Sequence, residues 1–119
     1  MKFLVVDDSS VDRHLLTSVL ENLGHQVDAC PDSKEAMQML TNRDYAAVFL
    51  DIVMPEQDGY KFLREMRSNQ KTAKQHVIFC STKKTPLEID YGMKRAGADD
   101  YLVKPVTKES VEQALQKVN

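Results

Sequence analysis

Short apolar runs that break off at polar residues constrain this chain more than any other feature. The first, Lys2–Val6, reads Lys-Phe-Leu-Val-Val and stops at Asp7-Asp8. Comparable runs lie at 25–30, 46–50, 76–80 and 99–103. Each is too short for a helix and of the right length for a strand. The segments between them have helical spacing instead. Over 11–23, Val11, Leu15, Leu16, Val19 and Leu23 recur on one helical face, and Gly24 follows where a helix-ending glycine belongs. Asp32 and Glu35 have capping-box spacing before a helix that runs through Leu40. A loop punctuated by Pro55 and Gly59 precedes a helix over 60–68. Thr85-Pro86-Leu87-Glu88 combines an N-cap, a first-turn proline and a third-position glutamate. The last helix covers 107–118, with Val111, Ala114, Leu115 and Val118 facing inward.

Five strands alternating with five helices predict an α/β fold. Apolar strands buried on both faces predict a parallel sheet, and short connections predict right-handed crossovers in a three-layer sandwich. The 119 residues predict one domain spanning 1–119. Sixteen basic and 18 acidic side chains leave a net charge of −2, so no overall charge recommends a nucleic-acid partner. No apolar run approaches the ~20 residues of a membrane span. The amino-terminal run is too short and turns acidic too early for a signal peptide. Cys30 and Cys80 make no disulfide framework or zinc quartet and read as small core residues. The expected compartment is the cytoplasm.

In a parallel α/β sheet, ligands bind beyond the carboxyl ends of the strands. The polar residues that close the runs are Asp7-Asp8, Asp51, Ser81 and Lys104. Parallel strands bring all of them to one edge. Clustered carboxylates raise one another's pKa, and a hard divalent cation relieves that conflict. A carboxylate in such a site can act as a nucleophile toward phosphorus, forming an aspartyl phosphate. Phosphoryl transfer needs chiefly positioning and cancellation of charge on the equatorial oxygens. A metal, the Lys104 ammonium and the Ser81 hydroxyl can each serve one oxygen. Taken singly, each residue has an ordinary reading as a turn acid, a cap or a surface lysine. Together, in order, they point to a phosphorylatable aspartate.

At this point the chain resembles the response-regulator receiver domains, of which the chemotaxis protein CheY is a member. The matching pieces are Asp7-Asp8, Asp51-Ile52-Val53-Met54-Pro55 with Asp58-Gly59, then Ser81, then Lys104-Pro105. The resemblance covers the whole chain and implies a CheY-like (βα)5 fold with strand order 2-1-3-4-5. It implies Asp51 as phosphoacceptor and Mg²⁺ bound by Asp8, Asp51 and the Val53 backbone carbonyl, with Asp7 acting through water. It further implies Lys104 paired with the phosphoryl group, Ser81 as switch hydroxyl, Tyr101 as switch aromatic and a cis bond before Pro105. The implied partners are a histidine kinase or phosphotransfer protein upstream and a protein docking on the face of the fourth helix, fifth strand and fifth helix. Lys83, Lys84, Lys94, Arg95, Lys104 and Lys108 are expected to make that face basic. The stretch 91–98 is similar to PilH-like regulators of motility, and the absence of an effector segment after the last helix predicts a stand-alone regulator, monomeric or weakly dimeric.

Some positions depart from the family pattern. Ser81 stands where many members have Thr, and Thr82 follows where Ala or Gly is frequent, which predicts narrower access to Asp51. Val53 and Lys83 occupy positions that tune loss of the phosphoryl group, so an altered lifetime is expected. Other classes fit less well. A dehalogenase-type phosphatase expects a second aspartate where Val53 stands. A flavodoxin-like flavin binder needs a Ser/Thr/Gly-rich phosphate loop where the chain has Asp-Asp-Ser-Ser. A phosphorylation-independent pseudo-receiver would not need the full acidic and lysine set.

Overall fold

The computed structural model describes residues 1–118; Asn119, the last residue of the expected 1–119 domain, lies outside them. Five strands form one parallel sheet in the order β2-β1-β3-β4-β5, as predicted. They are β1 (Lys2–Val6), β2 (Gln26–Cys30), β3 (Ala47–Asp51), β4 (Val77–Ser81) and β5 (Asp100–Val103). The helices are α1 (Ser10–Asn22), α2 (Ser33–Asn42), α3 (Gly59–Ser68), α4 (Pro86–Asp90) and α5 (Lys108–Leu115). A π-helical turn, Tyr91–Arg95, continues α4.

The three inner strands β1, β3 and β4 are buried almost throughout, because helices cover both faces. Alternate residues feed two cores. Leu4, Val48, Leu50 and Phe79 pack with Phe62, Leu63 and Met66 on one side. Phe3, Val5, Phe49 and Ile78 pack with Leu16, Leu20 and Val111 on the other. The outer strands are more open, and β2 buries only Cys30 fully. Its Asp28 accepts the Tyr45 hydroxyl at 2.6 Å and pairs with Arg43 at 3.0 Å. Cys30 and Cys80 are both buried and free, and burial raises the pKa of each thiol, to about 12 for Cys30.

One expectation is corrected. The inward face of α1 is Leu16 and Leu20, with Val19 and Leu23 partly buried, whereas Val11 is 74% and Leu15 42% exposed. The first turn of α1 rises from the end of β1, at the rim of the sheet, so periodicity continues where there is little core to cover. The fourth helix starts where the capping signals place it but changes to π-helical geometry after Asp90. At the π-helical turn Gly92 is buried, and a side chain there would meet the Tyr101 and Phe79 rings at 3.1–3.2 Å. The capping signals were accurate. Gly24 has φ +92°, Asp32 caps α2 by accepting from Glu35 N, and Thr85 and Glu88 form a complete capping box.

Candidate functional site

The sheet register carries the polar run-ends to one edge. Asp7 follows β1, Asp51 and Ser81 are the last residues of β3 and β4, and Lys104 follows β5. Strand order reverses between β1 and β3, which is where an open parallel sheet leaves a crevice. Asp7 and Asp51 are 5% and 6% exposed, while Asp8 is open to solvent. One carboxylate oxygen from each of Asp7, Asp8 and Asp51 lies within 4.8 Å of the other two.

The backbone that presents Asp51 is held by α3. Asp58 caps that helix by accepting from Lys61 N at 2.9 Å. Gly59 N donates to Ile52 O at 2.7 Å, and a β-carbon on Gly59 would lie 2.4 Å from Asp51 O. Only glycine lets α3 start this close to the end of β3. Val53, in the loop between them, is 60% exposed.

Lys104 crosses the site with its side chain 13% exposed. Its ammonium donates to Asp7 Oδ2 at 2.8 Å, Asp12 Oδ2 at 3.0 Å and Asp51 Oδ1 at 3.4 Å. The second contact was missed in the sequence. Asp12 lies inside the α1 pattern, away from any strand end, and only folding brings it to Lys104. Ser9 Oγ caps α1 by accepting from Asp12 N, and Asp7 Oδ1 accepts from Ser9 N at 2.9 Å.

The carboxylates are in electrostatic conflict. Burial, then the charge of Asp7, pushes the Asp51 carboxyl up to about 7, against the pull of Lys104. For Lys104, burial works to lower the pKa; hydrogen bonds to Asp7 and Asp12 and the charge of Asp51 more than reverse it, so the ammonium is held above its usual range. Two buried carboxylates beside an open one, with one of them driven toward protonation, fit a hard divalent cation.

Ser81 is buried, and its Oγ accepts from Lys83 N at 3.1 Å. Tyr101 is half-buried on Phe79, with its hydroxyl donating to Lys83 O at 2.7 Å. Both candidate switch residues therefore hold the same residue of the β4–α4 loop. Thr82 is exposed. The Lys104–Pro105 bond is cis. The expected basic face is corrected: Lys104 belongs to the site interior, Lys83 pairs with Glu88 at 3.7 Å and Lys94 with Asp90 at 3.1 Å. Lys84, Arg95 and Lys108 are exposed, as are Leu87 at 80% and Tyr91 at 41%.

An open parallel sheet with three carboxylates and one lysine at its switch point defines a class of α/β proteins whose strand-end crevice can hold a hard cation. The chain belongs to the response regulator receiver domain family, whose profile matches residues 3–116. It is 33% identical to protein PilH of Pseudomonas aeruginosa over 117 residues, covering 98% of this chain and 96% of that protein. It is 34% identical over 120 residues to a chemotaxis protein CheY homolog of Campylobacter jejuni, covering 99% and 92%. The receiver domain of a sensor histidine kinase from Pseudomonas aeruginosa, solved with a magnesium ion coordinated in its active-site cleft, superposes with a TM-score of 0.87 at 27% identity, covering 98% and 95%. Receiver domains are signalling modules of two-component systems.

Proposed function

We propose that this chain is a single-domain response regulator, spanning 1–119, that accepts a phosphoryl group on Asp51 from a histidine kinase or phosphotransfer protein. One observation carries the reading: a buried Asp51 carboxylate at a strand end, grouped with Asp7 and Asp8 and 3.4 Å from the Lys104 ammonium. An Asp51 oxygen attacks phosphorus, the acyl phosphate bond forms, and the donor leaves with the electron pair of the broken bond. Asp8, Asp51 and the Val53 carbonyl would hold Mg²⁺, with Asp7 acting through water. Bound there, Mg²⁺ supplies positive charge for the phosphoryl oxygens. Lys104 neutralises a second oxygen.

The Ser81 hydroxyl turns from Lys83 N to a phosphoryl oxygen. That frees the residue that also holds the Tyr101 hydroxyl, so loop and ring move together. The α4–β5–α5 face changes shape, and with it the affinity for a downstream protein that presents apolar and acidic groups. Val53, Thr82 and Lys83 regulate access to Asp51 and the lifetime of the phosphorylated form in this reading. Similarity to PilH and CheY supports an output in motility-type signalling. The regulator acts in the cytoplasm as a monomer or weak dimer, without direct contact with nucleic acid or membrane; among the described residues no helix is long and apolar enough to cross one.

The test is incubation with Mg²⁺ and acetyl phosphate, followed by intact-mass measurement, with Asp51→Asn as control. A Mg²⁺-dependent gain of one phosphoryl group, lost in the control, is expected. Failure with both acetyl phosphate and a phosphohistidine donor would leave a constitutive binding module in place of the switch.

A further inference from the structure

Among the described residues Lys104 has three carboxylate partners, and Asp51 has the longest contact. The ammonium is 2.8 Å from Asp7, 3.0 Å from Asp12 and 3.4 Å from Asp51. Asp7 and Asp51 belong to the three-carboxylate cluster and share their charge with whatever cation occupies it. Asp12 stands outside that cluster. It lies in the first turn of α1, where the helix dipole favours a carboxylate and Ser9 caps its backbone N–H. The same turn is fastened to the site, because Ser9 N donates to Asp7 Oδ1 at 2.9 Å and Arg13 Nη1 donates to Asp7 O at 2.7 Å. Asp12 is thus a firmly based anion that competes for Lys104 alone.

We infer that Asp12 is a positioning residue for Lys104, holding the ammonium on the α1 side of the site so that an incoming phosphoryl group must displace it. The inference rests on Asp51 being the phosphoacceptor. Lys104 exchanges one Asp12 oxygen for one phosphoryl oxygen; no covalent bond of either residue changes. Asp12 therefore weakens binding of the phosphoryl donor and shortens the life of the phosphorylated form. A residue that only stabilised α1 would do neither.

The experiment measures initial rates of Mg²⁺-dependent phosphorylation against acetyl phosphate concentration, by intact mass, for the whole chain. Asp12→Asn is expected to lower the half-saturating concentration about threefold, the size of a part-exposed ion pair, with a smaller change in maximal rate. Asp12→Glu restores the carboxylate and is expected to restore the wild-type value. Glu56→Gln removes an exposed acid from the groove beside Asp8 that makes no ion pair with Lys104, and so reports bulk charge. An unchanged half-saturating concentration in Asp12→Asn, an equal fall in Glu56→Gln, or no restoration by Asp12→Glu overturns the inference. If the wild-type chain takes up no phosphoryl group, the phosphoacceptor reading falls first and the inference with it.

Discussion

Replacing Asp51 by Asn should stabilise the metal-free protein while abolishing its proposed chemistry. Asp51 is 6% exposed, and its carboxyl is raised from 3.8 to about 7 by burial and by Asp7. A carboxyl raised in the folded state favours folding when protonated. That contribution is complete below about pH 4 and is lost as pH rises through about 7. About three pKa units at ~1.4 kcal/mol each put the cost of the ionised form near 4 kcal/mol above pH 7. Asparagine keeps the shape without the charge, but gives up the 3.4 Å charged contact with Lys104. The net gain is about 2 kcal/mol, or roughly 8 °C in Tm for a chain of this size. Calorimetry of both proteins in chelator at pH 8 and pH 4 measures it. The gap should be widest at pH 8, shrink toward pH 4, and narrow when Mg²⁺ is added, because a cation bound by the wild-type cluster stabilises only the folded state. An Asp51→Asn protein equal to or less stable than wild type at pH 8 in chelator would refute the electrostatic reasoning.

Two further substitutions probe the frame around the site. Gly59→Ala places a β-carbon 2.4 Å from Asp51 O and 2.9 Å from Ile52 Cα, both backbone atoms that cannot rotate away. It should cost about 2–3 kcal/mol by denaturant unfolding and weaken Mg²⁺ binding measured by titration calorimetry, because the loop carrying Val53 must shift. Tyr101→Phe removes the hydroxyl that donates to Lys83 O at 2.7 Å. It should cost about 1 kcal/mol and speed amide exchange in the β4–α4 loop while leaving exchange in β1 unchanged.

Much of this architecture was legible in the chain itself, because its signals are local. A strand buried on two faces must be apolar throughout, so Lys2–Val6 and the runs ending at Asp51 and Ser81 announce themselves. Helix caps depend on residues three or four apart, so Asp32, Gly24 and the Thr85–Glu88 box could be read directly. Parallel strands share one direction, which was enough to assign Asp7, Asp8, Asp51, Ser81 and Lys104 to one edge. Tertiary structure decided what depends on distance between elements. Periodicity could not tell that Val11 and Leu15 lie where the core ends, whereas Leu20, four residues after Leu16, fits the helical spacing and was legible though not assigned. Charge counting placed Lys104 on a docking face, whereas its long side chain turns inward to three carboxylates 53 to 97 positions away. Nothing in the local pattern marks Asp12 as one of them. An ion pair across that separation leaves no spacing in the sequence, because the sheet's crossovers, and not the chain between, set which side chains meet.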